Sequence, residues 1–370
     1  EIADRDWSSD VCSSDLLYRM GAWMLVVFLL LTACAGGSPA SEEEKATREN
    51  MTEKTTSEAA EEKEEPYRLP EDLDLSMFRI VSLKGPTGFG IAPLTYESFL
   101  KKLSSKEPVQ ALGSYRVLAL PEEAVSAMTK KEADFAFVPA NMASILYNKT
   151  QGQVLVAATN NLGVLYMVDN DGSIKSWEDL KGKTIYTTGK GATPDIVLNR
   201  LLKEKGIDAT VEFKSEASEI AGLLAKEEHV VGLLPEPFVT VAKTKNEKVN
   251  VALDLNKTWE EVTGSPIVTG VLIVQKEFAQ AHPEETGKFL DVFEACVNWV
   301  NENPKEGAKA IGALDIVPET VAEKAIPGCH LKVYRGEELK EVLGKYLSIL
   351  AEKNPEQVGG KLPAEDFYFK

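Results

Sequence analysis

Four short segments of the sequence carry side chains that suit the binding of a polar solute rather than covalent catalysis. In chain order they are Lys84–Gly88, Pro139–Asn141, Thr187–Thr193 and Pro235–Pro237. Each follows an apolar run that is typical of a buried strand, so each is expected at a strand end. Threonine hydroxyls donate and accept hydrogen bonds, and glycine lets the backbone approach a ligand. In the first segment we predict contacts from Pro86, Thr87 and Gly88, although an ordinary strand-to-helix turn could contain the same residues.

The third segment, Thr187–Thr193, leads into a helical pattern. Free backbone N–H groups at a helix start, together with the helix dipole, attract anions and carbonyl oxygens. We therefore predict ligand contacts from Thr188, Gly189 and Thr193. Lys190 is a fourth candidate, unless its ammonium group only faces solvent.

The remaining two segments occupy matching positions after apolar strands. Ala140 and Asn141 are predicted ligand contacts, but Asn141 could equally cap its own helix. Glu236 could accept a hydrogen bond from a ligand amine or ring N–H, or it could pair with Lys190. In a pocket, this acid would favour a ligand with a donor group over a bare anion such as nitrate. Tyr166 could stack on a planar ligand or pack in the core.

The residue spacing gives little support for a metal site, a catalytic site or a nucleotide-binding site. The sequence has no C-x-x-C, H-E-x-x-H or phosphate-binding G-x-x-x-x-G-K-[ST] pattern, so we predict no catalytic residues, no metal and no cofactor. Cys296 and Cys329 could form a disulfide outside the cytoplasm, but we favour two buried free thiols. The net charge of −17 argues against a nucleic-acid partner, which requires a basic face.

Strand and helix patterns alternate from Phe78 onward and indicate an α/β fold with mostly parallel sheets. The predicted strands are 78–83, 115–120, 134–138, 153–159, 183–188, 209–214, 230–234 and 249–254. Two more β-rich runs, 162–168 and 268–274, are long enough to cross between two lobes. We predict lobe 1 from residues 67–164 and 272–370, and lobe 2 from residues 165–271. Facing strand-end loops across such a hinge could close on a small molecule.

The N-terminal region has the features of an exported lipoprotein. Residues 22–31 form a ten-residue apolar run, which suits a signal-peptide core and is shorter than the ~20 residues of a membrane span. The following Leu31-Thr32-Ala33-Cys34 resembles a bacterial lipobox, so we predict a signal peptide over 16–33 and lipidation of Cys34. A soluble signal followed by a chance cysteine is the alternative.

Two further segments flank this signal. Residues 34–66 form a predicted disordered acidic tether, since positions 41–66 hold ten Glu and almost no aliphatic residue beyond alanine. Residues 1–15 carry five acids where a signal peptide begins with positive charge. They resemble translated adapter sequence, and we expect them to be extraneous.

Taken in order, several motifs resemble the solute-binding proteins of ABC importers, of the nitrate, sulfonate, taurine and pyrimidine-precursor type. They are LTAC (31–34), SLKGPTGFG (82–90), DFAFVPANMAS (134–144), SIKSWEDLKGKTIYTTGKGATP (173–194) and LLPEPF (233–238). The resemblance implies a two-lobed periplasmic-binding-protein fold, type II-like, with two hinge crossings. It also implies extracytoplasmic capture of a sulfonate-, nitrate- or pyrimidine-like solute and delivery to a permease and its ATPase.

Under this resemblance we expect a monomer that is held at the bacterial cell membrane by its lipid. One alternative is a biosynthetic enzyme on the same fold, of the pyrimidine-precursor or menaquinone-pathway type. Such an enzyme needs catalytic side chains in the cleft, and no Cys or His lies in a predicted strand-end loop. A ligand-sensing lipoprotein is a further alternative. We predict a binding protein rather than an enzyme.

Overall fold

The computed structural model describes residues 68–103 and 112–370, which belong to one compact unit. The predicted extraneous segment, the signal peptide, Cys34 and the acidic tether all lie outside the described residues. None of the helices in the described ranges combines the length and apolar character needed to cross a bilayer.

The described residues form ten strands in two five-stranded mixed sheets. The strands are β1 (Arg79–Leu83), β2 (Ser114–Leu118), β3 (Phe135–Pro139), β4 (Val154–Leu162), β5 (Leu165–Asp169), β6 (Thr184–Thr187), β7 (Thr210–Phe213), β8 (Val231–Pro235), β9 (Asn250–Asp254) and β10 (Val268–Gln275). Their order is β2-β1-β3-β10-β4 in the first sheet and β7-β6-β8-β5-β9 in the second. We call each sheet, with the helices packed against it, a lobe.

In each sheet four strands run in one direction and a single strand runs against them. The odd strands are β10 and β5, which lie antiparallel to both of their neighbours. They are the two β-rich runs that the sequence predicts as crossings. The first run leaves β4 in lobe 1 and enters the sheet of lobe 2, and the second returns to lobe 1. The predicted two-lobed α/β fold with two hinge crossings is therefore confirmed.

Helices cover the faces of both sheets. They are α1 (Pro86–Phe89), α2 (Glu97–Leu103), α3 (Pro121–Thr129), α4 (Ala140–Lys149), α5 (Thr193–Lys205), α6 (Ala217–Lys226), α7 (Phe238–Lys245), α8 (Leu255–Thr263), α9 (Lys276–Ala281), α10 (Pro283–Glu302), α11 (Pro304–Ala313), α12 (Glu319–Ala325) and α13 (Gly336–Lys353). Helix α5 shows how local sequence sets these limits. Pro194 lies in its first turn, and it ends at Gly206, whose φ of 68° is the left-handed conformation that glycine adopts easily.

Apolar faces of the C-terminal helices build much of the core. The predicted core residues of these helices are all buried, namely Phe289, Phe293, Val297, Val300, Leu339, Leu343, Tyr346 and Leu350. In lobe 1, Phe289 packs against Phe135 with ring centroids 4.6 Å apart and against Phe78 at 4.9 Å. These contacts combine area burial with the tilted ring geometry that aromatic pairs prefer.

Helix α13 also contacts lobe 2. Tyr346 shares a hydrogen bond of 3.2 Å with the Thr193 hydroxyl, and its ring lies 6.3 Å from that of Trp259, centroid to centroid. The ammonium group of Lys345 donates to the Gly264 carbonyl at 3.0 Å. The C-terminal helix therefore links the two lobes independently of the crossings.

Candidate functional site

The carboxyl ends of the parallel strands in the two lobes face each other. The chain passes from β4 to β5 through only Gly163 and Val164, so the edge where β4 ends lies beside the edge where β5 begins. The start of β5 pairs with the end of β8, because Leu165 lies opposite Pro235. All four sequence-predicted segments follow strands that end at these facing edges. This arrangement places them around the junction of the lobes.

The first segment forms the short helix α1, and Thr87 lies within it. The Thr87 side chain is buried, and its carbonyl accepts a hydrogen bond of 3.0 Å from Asn160 Nδ2. Residue 88 must be glycine here, since a Cβ would lie 2.6 Å from the Leu83 carbonyl oxygen. Pro86 remains half-buried. This segment therefore contributes backbone, a partly covered proline and a largely buried threonine to the junction.

Asn160 and Asn161 lie near the end of strand β4 and are wholly buried. Asn160 Nδ2 also donates to Asn161 Oδ1 at 3.2 Å, but Asn160 Oδ1 has no hydrogen-bond partner. A buried acceptor without a partner costs free energy unless a donor reaches it. These two residues were not predicted, although two asparagines that close an apolar strand are a recognisable signal.

The segment before α5 is positioned by its glycines and by contacts from lobe 1. Gly189 and Gly191 have left-handed φ values of 69° and 77°, so the loop turns sharply into the helix. Gln357 Nε2 donates to the Gly191 carbonyl at 2.5 Å. The Lys190 ammonium lies 5.8 Å from the centroid of the Phe213 ring. Thr188 is half-buried beside these residues.

Two contacts that the sequence left open, a Lys190–Glu236 ion pair and a helix cap by Asn141, are absent among the described residues. Lys190 forms no ion pair with Glu236. The carboxylate of Glu236 instead accepts a hydrogen bond from the Thr240 hydroxyl. Helix α4 has no side-chain cap, so Asn141 does not cap it, and this residue stays half-buried next to buried Ala140. The structure thus leaves the Asn141 amide without a hydrogen bond to another described residue.

Tyr166 and Glu236 come together around a 3-10 helix, Ile326–Cys329, that belongs to lobe 1. The Tyr166 hydroxyl donates to the Gly328 carbonyl at 2.9 Å. A Cβ on Gly328 would lie 3.0 Å from Glu236 Cγ and 3.3 Å from the Tyr166 hydroxyl, so the backbone approaches both side chains closely. His330 follows, and its Nδ1 contacts the Gly163 carbonyl oxygen at 2.5 Å.

Burial controls the protonation of this cluster. The Glu236 side chain accepts hydrogen bonds from Thr240 N at 3.2 Å and Thr240 Oγ1 at 3.1 Å. Loss of hydration nevertheless outweighs these bonds and the nearby Lys243 charge, and it raises the pKa of Glu236 to about 7. Burial also raises the pKa of the Tyr166 hydroxyl and of the Cys329 thiol. The pKa of Glu236 therefore lies near neutral pH, well above the usual range of a carboxyl group.

Beside Glu236 a groove of about 660 Å³ runs between α7 in lobe 2 and α12 in lobe 1, and we call it the α7–α12 groove. It is lined by Glu236, Val239, Thr240, Lys243, Thr244, Glu247, Val251 and Lys324. Its walls therefore come from both lobes. In the described ranges no group of three or more His, Cys, Asp or Glu side chains is arranged to hold a metal ion.

Sequence reasoning missed the contribution of residues 326–330. No Cys or His lies in a predicted strand-end loop, yet the fold brings Cys329 near Glu236 and His330 near Tyr166. They lie about ninety residues beyond Glu236 in the chain, and local periodicity contains no information about such a distant contact. The segment is fixed by β4, since Leu162 N donates to the His330 carbonyl at 2.9 Å.

Several solved structures resemble this fold. An ABC transporter from Parabacteroides distasonis is 22% identical with a TM-score of 0.67, covering 79% of this chain and 98% of that chain. The periplasmic aliphatic sulphonate binding protein SsuA of Escherichia coli is 14% identical with a TM-score of 0.60, covering 76% and 90%. A putative sulfonate-binding protein SsuA from Methylobacillus flagellatus is 18% identical with a TM-score of 0.54, covering 75% and 87%. At these identities the likeness shows the periplasmic-binding-protein fold.

Sequence comparison adds a family. No curated protein matches the chain. A family model described as menaquinone biosynthesis, VitK2_biosynth, matches residues 96–334, which is more than half of the chain and spans parts of both lobes. A menaquinone-pathway type is one of the alternatives that the sequence motifs leave open. The protein therefore belongs to the menaquinone biosynthesis family, VitK2_biosynth, and has the periplasmic-binding-protein fold.

Proposed function

We propose that the protein is an extracytoplasmic solute receptor of an ABC importer, which captures a small solute by hinge closure and delivers it to a permease. The support is the pair of lobes with facing strand ends, together with structural likeness to an ABC transporter and to two sulfonate-binding proteins. A sulfonate-, nitrate- or pyrimidine-like solute is the proposed class. The proposed contacts are Pro86, Thr87, Gly88, Ala140, Asn141, Tyr166, Thr188, Gly189, Lys190, Thr193 and Glu236.

One observation carries the choice of binding over turnover. The tyrosine and the cysteine beside Glu236 are both held in unreactive states, and one ring nitrogen of the nearby histidine is engaged. The Tyr166 hydroxyl is bonded to Gly328, and His330 Nδ1 contacts Gly163. The Cys329 thiol is wholly buried with a raised pKa, so it is held as the thiol and not as the nucleophilic thiolate. The absence of a free nucleophile among these described side chains supports binding over covalent catalysis.

A second candidate function is a biosynthetic reaction on the same fold. The family match favours it, and so does Glu236, because a carboxyl with a pKa of about 7 can serve as a general acid or base at neutral pH. This candidate predicts that a bound compound is converted. The two candidates therefore differ in one measurable property, the chemical fate of the ligand.

A screen with direct recovery of the ligand tests the proposal. Residues 67–370 would be screened by thermal shift with nitrate, taurine, alkyl and aromatic sulfonates, pyrimidines and purines. A true ligand at a hundredfold excess over Kd should stabilise the fold by about 2.7 kcal/mol. The compound should then be recovered intact by mass spectrometry after denaturation. Stabilisation accompanied by a new product would favour the enzyme.

We further propose that Cys34 carries a lipid and that the acidic tether joins it to the lobes. The lipobox-like LTAC and the composition of residues 41–66 support this part of the proposal. A flexible tether would raise the effective concentration of the receptor at a permease in the same membrane. Mass spectrometry of membrane-fraction protein should find a diacylglyceryl group on Cys34. A soluble product with an unmodified Cys34 would contradict the anchor.

A further inference from the structure

A short 3-10 helix near the C-terminus, Pro355–Val358, contacts proposed binding segments of both lobes. On the lobe 1 side it packs against helix α4, which begins with Ala140 and Asn141. Its Gln357 donates a hydrogen bond of 2.5 Å from Nε2 to the Gly191 carbonyl of lobe 2. The short helix therefore connects the two lobes without passing through either crossing.

Side chains of α4 fix the position of this short helix in lobe 1. The Val358 side chain is wholly buried, and its carbonyl accepts hydrogen bonds from Ser144 Oγ at 2.8 Å and from Asn148 Nδ2 at 2.9 Å. Asn148 Nδ2 also donates to the Lys361 carbonyl at 2.7 Å. Gln357 therefore projects from a segment that is tied to α4 by burial and by hydrogen bonds.

The partner in lobe 2 is the loop 188–193, whose own hydrogen bonds are local. Ala192 N donates to the Gly189 carbonyl at 2.8 Å, and Gly191 N donates to Asp195 Oδ2 at 2.8 Å. These two bonds close the loop on itself and on the first turn of α5. They leave the Gly191 carbonyl free to accept the bond from lobe 1.

Two hydrogen bonds join this loop to lobe 1 in the described part of the chain, and they differ in character. The Tyr346 hydroxyl, which bonds to Thr193, belongs to a wholly buried core side chain. Gln357 is half-buried and polar, and its bond to Gly191 spans 2.5 Å. Because a hydrogen bond is lost beyond about 3.5 Å, separating the lobes by about 1 Å at this point breaks it. The Gln357 bond is therefore specific to the orientation of the lobes seen here.

We propose that Gln357 is a positioning residue of the solute site, which orders the loop 188–193 through the Gly191 carbonyl when the lobes take this orientation. The inference rests on the proposed function, because four residues of this loop are proposed solute contacts. Left-handed glycines at 189 and 191 give an unrestrained loop many conformations. Fixing the loop from lobe 1 reduces the entropy that a solute must offset on binding, so that closure and loop ordering occur together.

Hydrogen exchange of the full chain, followed by mass spectrometry, tests this role without a solute. Gln357→Glu keeps the shape of the side chain, but at neutral pH its carboxylate has no hydrogen to donate to the Gly191 carbonyl. Amides of residues 188–193 should exchange about five-fold faster than in the wild type, the factor that corresponds to one ordinary hydrogen bond. Gln357→Ala should give the same acceleration. Glu356→Gln is the matched control, since Glu356 is exposed in the same short helix, and it should leave the exchange of the loop unchanged.

The pH dependence of the exchange separates hydrogen-bond donation from a general loss of packing. A protonated carboxyl group is a donor again, and an ordinary glutamate is largely protonated at about pH 4. The ratio of loop exchange in Gln357→Glu to that in the wild type should therefore fall towards one at this pH. The corresponding ratio for Gln357→Ala should stay constant.

Four results would overturn the proposal. These are unchanged exchange of residues 188–193 in both Gln357 variants, equal acceleration in Glu356→Gln, acceleration spread evenly over both lobes, and a Gln357→Glu ratio that does not fall at pH 4. Such a failure would remove the role of Gln357 and leave the solute receptor standing, since no solute is used. Conversion of a compound in the recovery experiment would contradict the receptor and leave this contact between the lobes standing.

Discussion

Replacement of Glu236 by glutamine should change how stability depends on pH. The Glu236 side chain is only 8% exposed, and its burial raises the pKa from an ordinary value of 4.5 to about 7. In the native state this carboxyl therefore holds its proton over a pH range in which the unfolded chain has released it. The folded protein binds more protons than the unfolded chain between these two values, so stability falls as the pH rises.

The size of the effect follows from the difference between the two pKa values. Each pKa unit corresponds to 1.36 kcal/mol, so Glu236 should cost the native state about 3 kcal/mol at pH 8 relative to pH 4. Glutamine has a similar shape, keeps an acceptor for Thr240 and does not titrate. The unfolding free energy of Glu236→Gln minus that of the wild type should therefore rise by about 3 kcal/mol across this range.

Urea denaturation of residues 67–370 at several pH values between 4 and 8 measures this difference, because every other titrating group is common to the two proteins. Glu247→Gln is the control, since Glu247 is exposed on the same side of the molecule. It should follow the wild-type profile closely. Parallel pH profiles for the wild type and Glu236→Gln would refute the assignment of Glu236 as the buried titrating group.

Three more predictions concern the junction of the lobes. Tyr346→Ala should destabilise the protein by about 3–5 kcal/mol through lost packing. Tyr346→Phe removes only the hydrogen bond to Thr193 and should cost about 1 kcal/mol. Equal losses of unfolding free energy in urea titrations of the two variants would contradict the packing role. Gly328→Ala should lower the unfolding free energy by about 1–3 kcal/mol, because the new methyl group would lie 3.0 Å from Glu236 Cγ. An unchanged melting temperature would show that the Glu236 side chain can move away without cost. Cys296 and Cys329 are both buried free thiols with raised pKa values. Peptide mapping after alkylation should therefore find these two cysteines modified only in denaturant. Rapid labelling of the native protein would show instead that the site around Glu236 opens.

Local pattern was sufficient for the elements of the fold. Apolar runs of strand length, separated by helical periods and punctuated by residues such as Pro194 and Gly206, predict all ten strands within a few residues. The β-rich runs between the two sets predict the crossings because a strand that joins two lobes remains apolar. Strand β4 is longer than predicted, since Asn160 and Asn161 are polar and yet buried, with Asn160 bonded to the Thr87 carbonyl.

Local pattern was insufficient for the side-chain partners at the junction. Lys190 and Glu236 carry opposite charges, but α5 and α7 leave the second sheet on opposite faces, and Lys190 lies over Phe213 instead. The approach of Gly328 to Glu236 depends on how four C-terminal helices pack, which is a tertiary property. The order of apolar and polar residues near position 328 does not encode that partner.

The proposed function requires that the lobes capture a solute without altering it. The most direct measurement mixes residues 67–370 with an equimolar amount of the strongest stabilising compound from the thermal-shift panel, followed by denaturation and quantitative mass spectrometry. Binding alone predicts that the whole amount of compound is recovered with its original mass, even after long incubation. Time-dependent loss of the compound with the appearance of a new mass would contradict the claim and identify the protein as an enzyme.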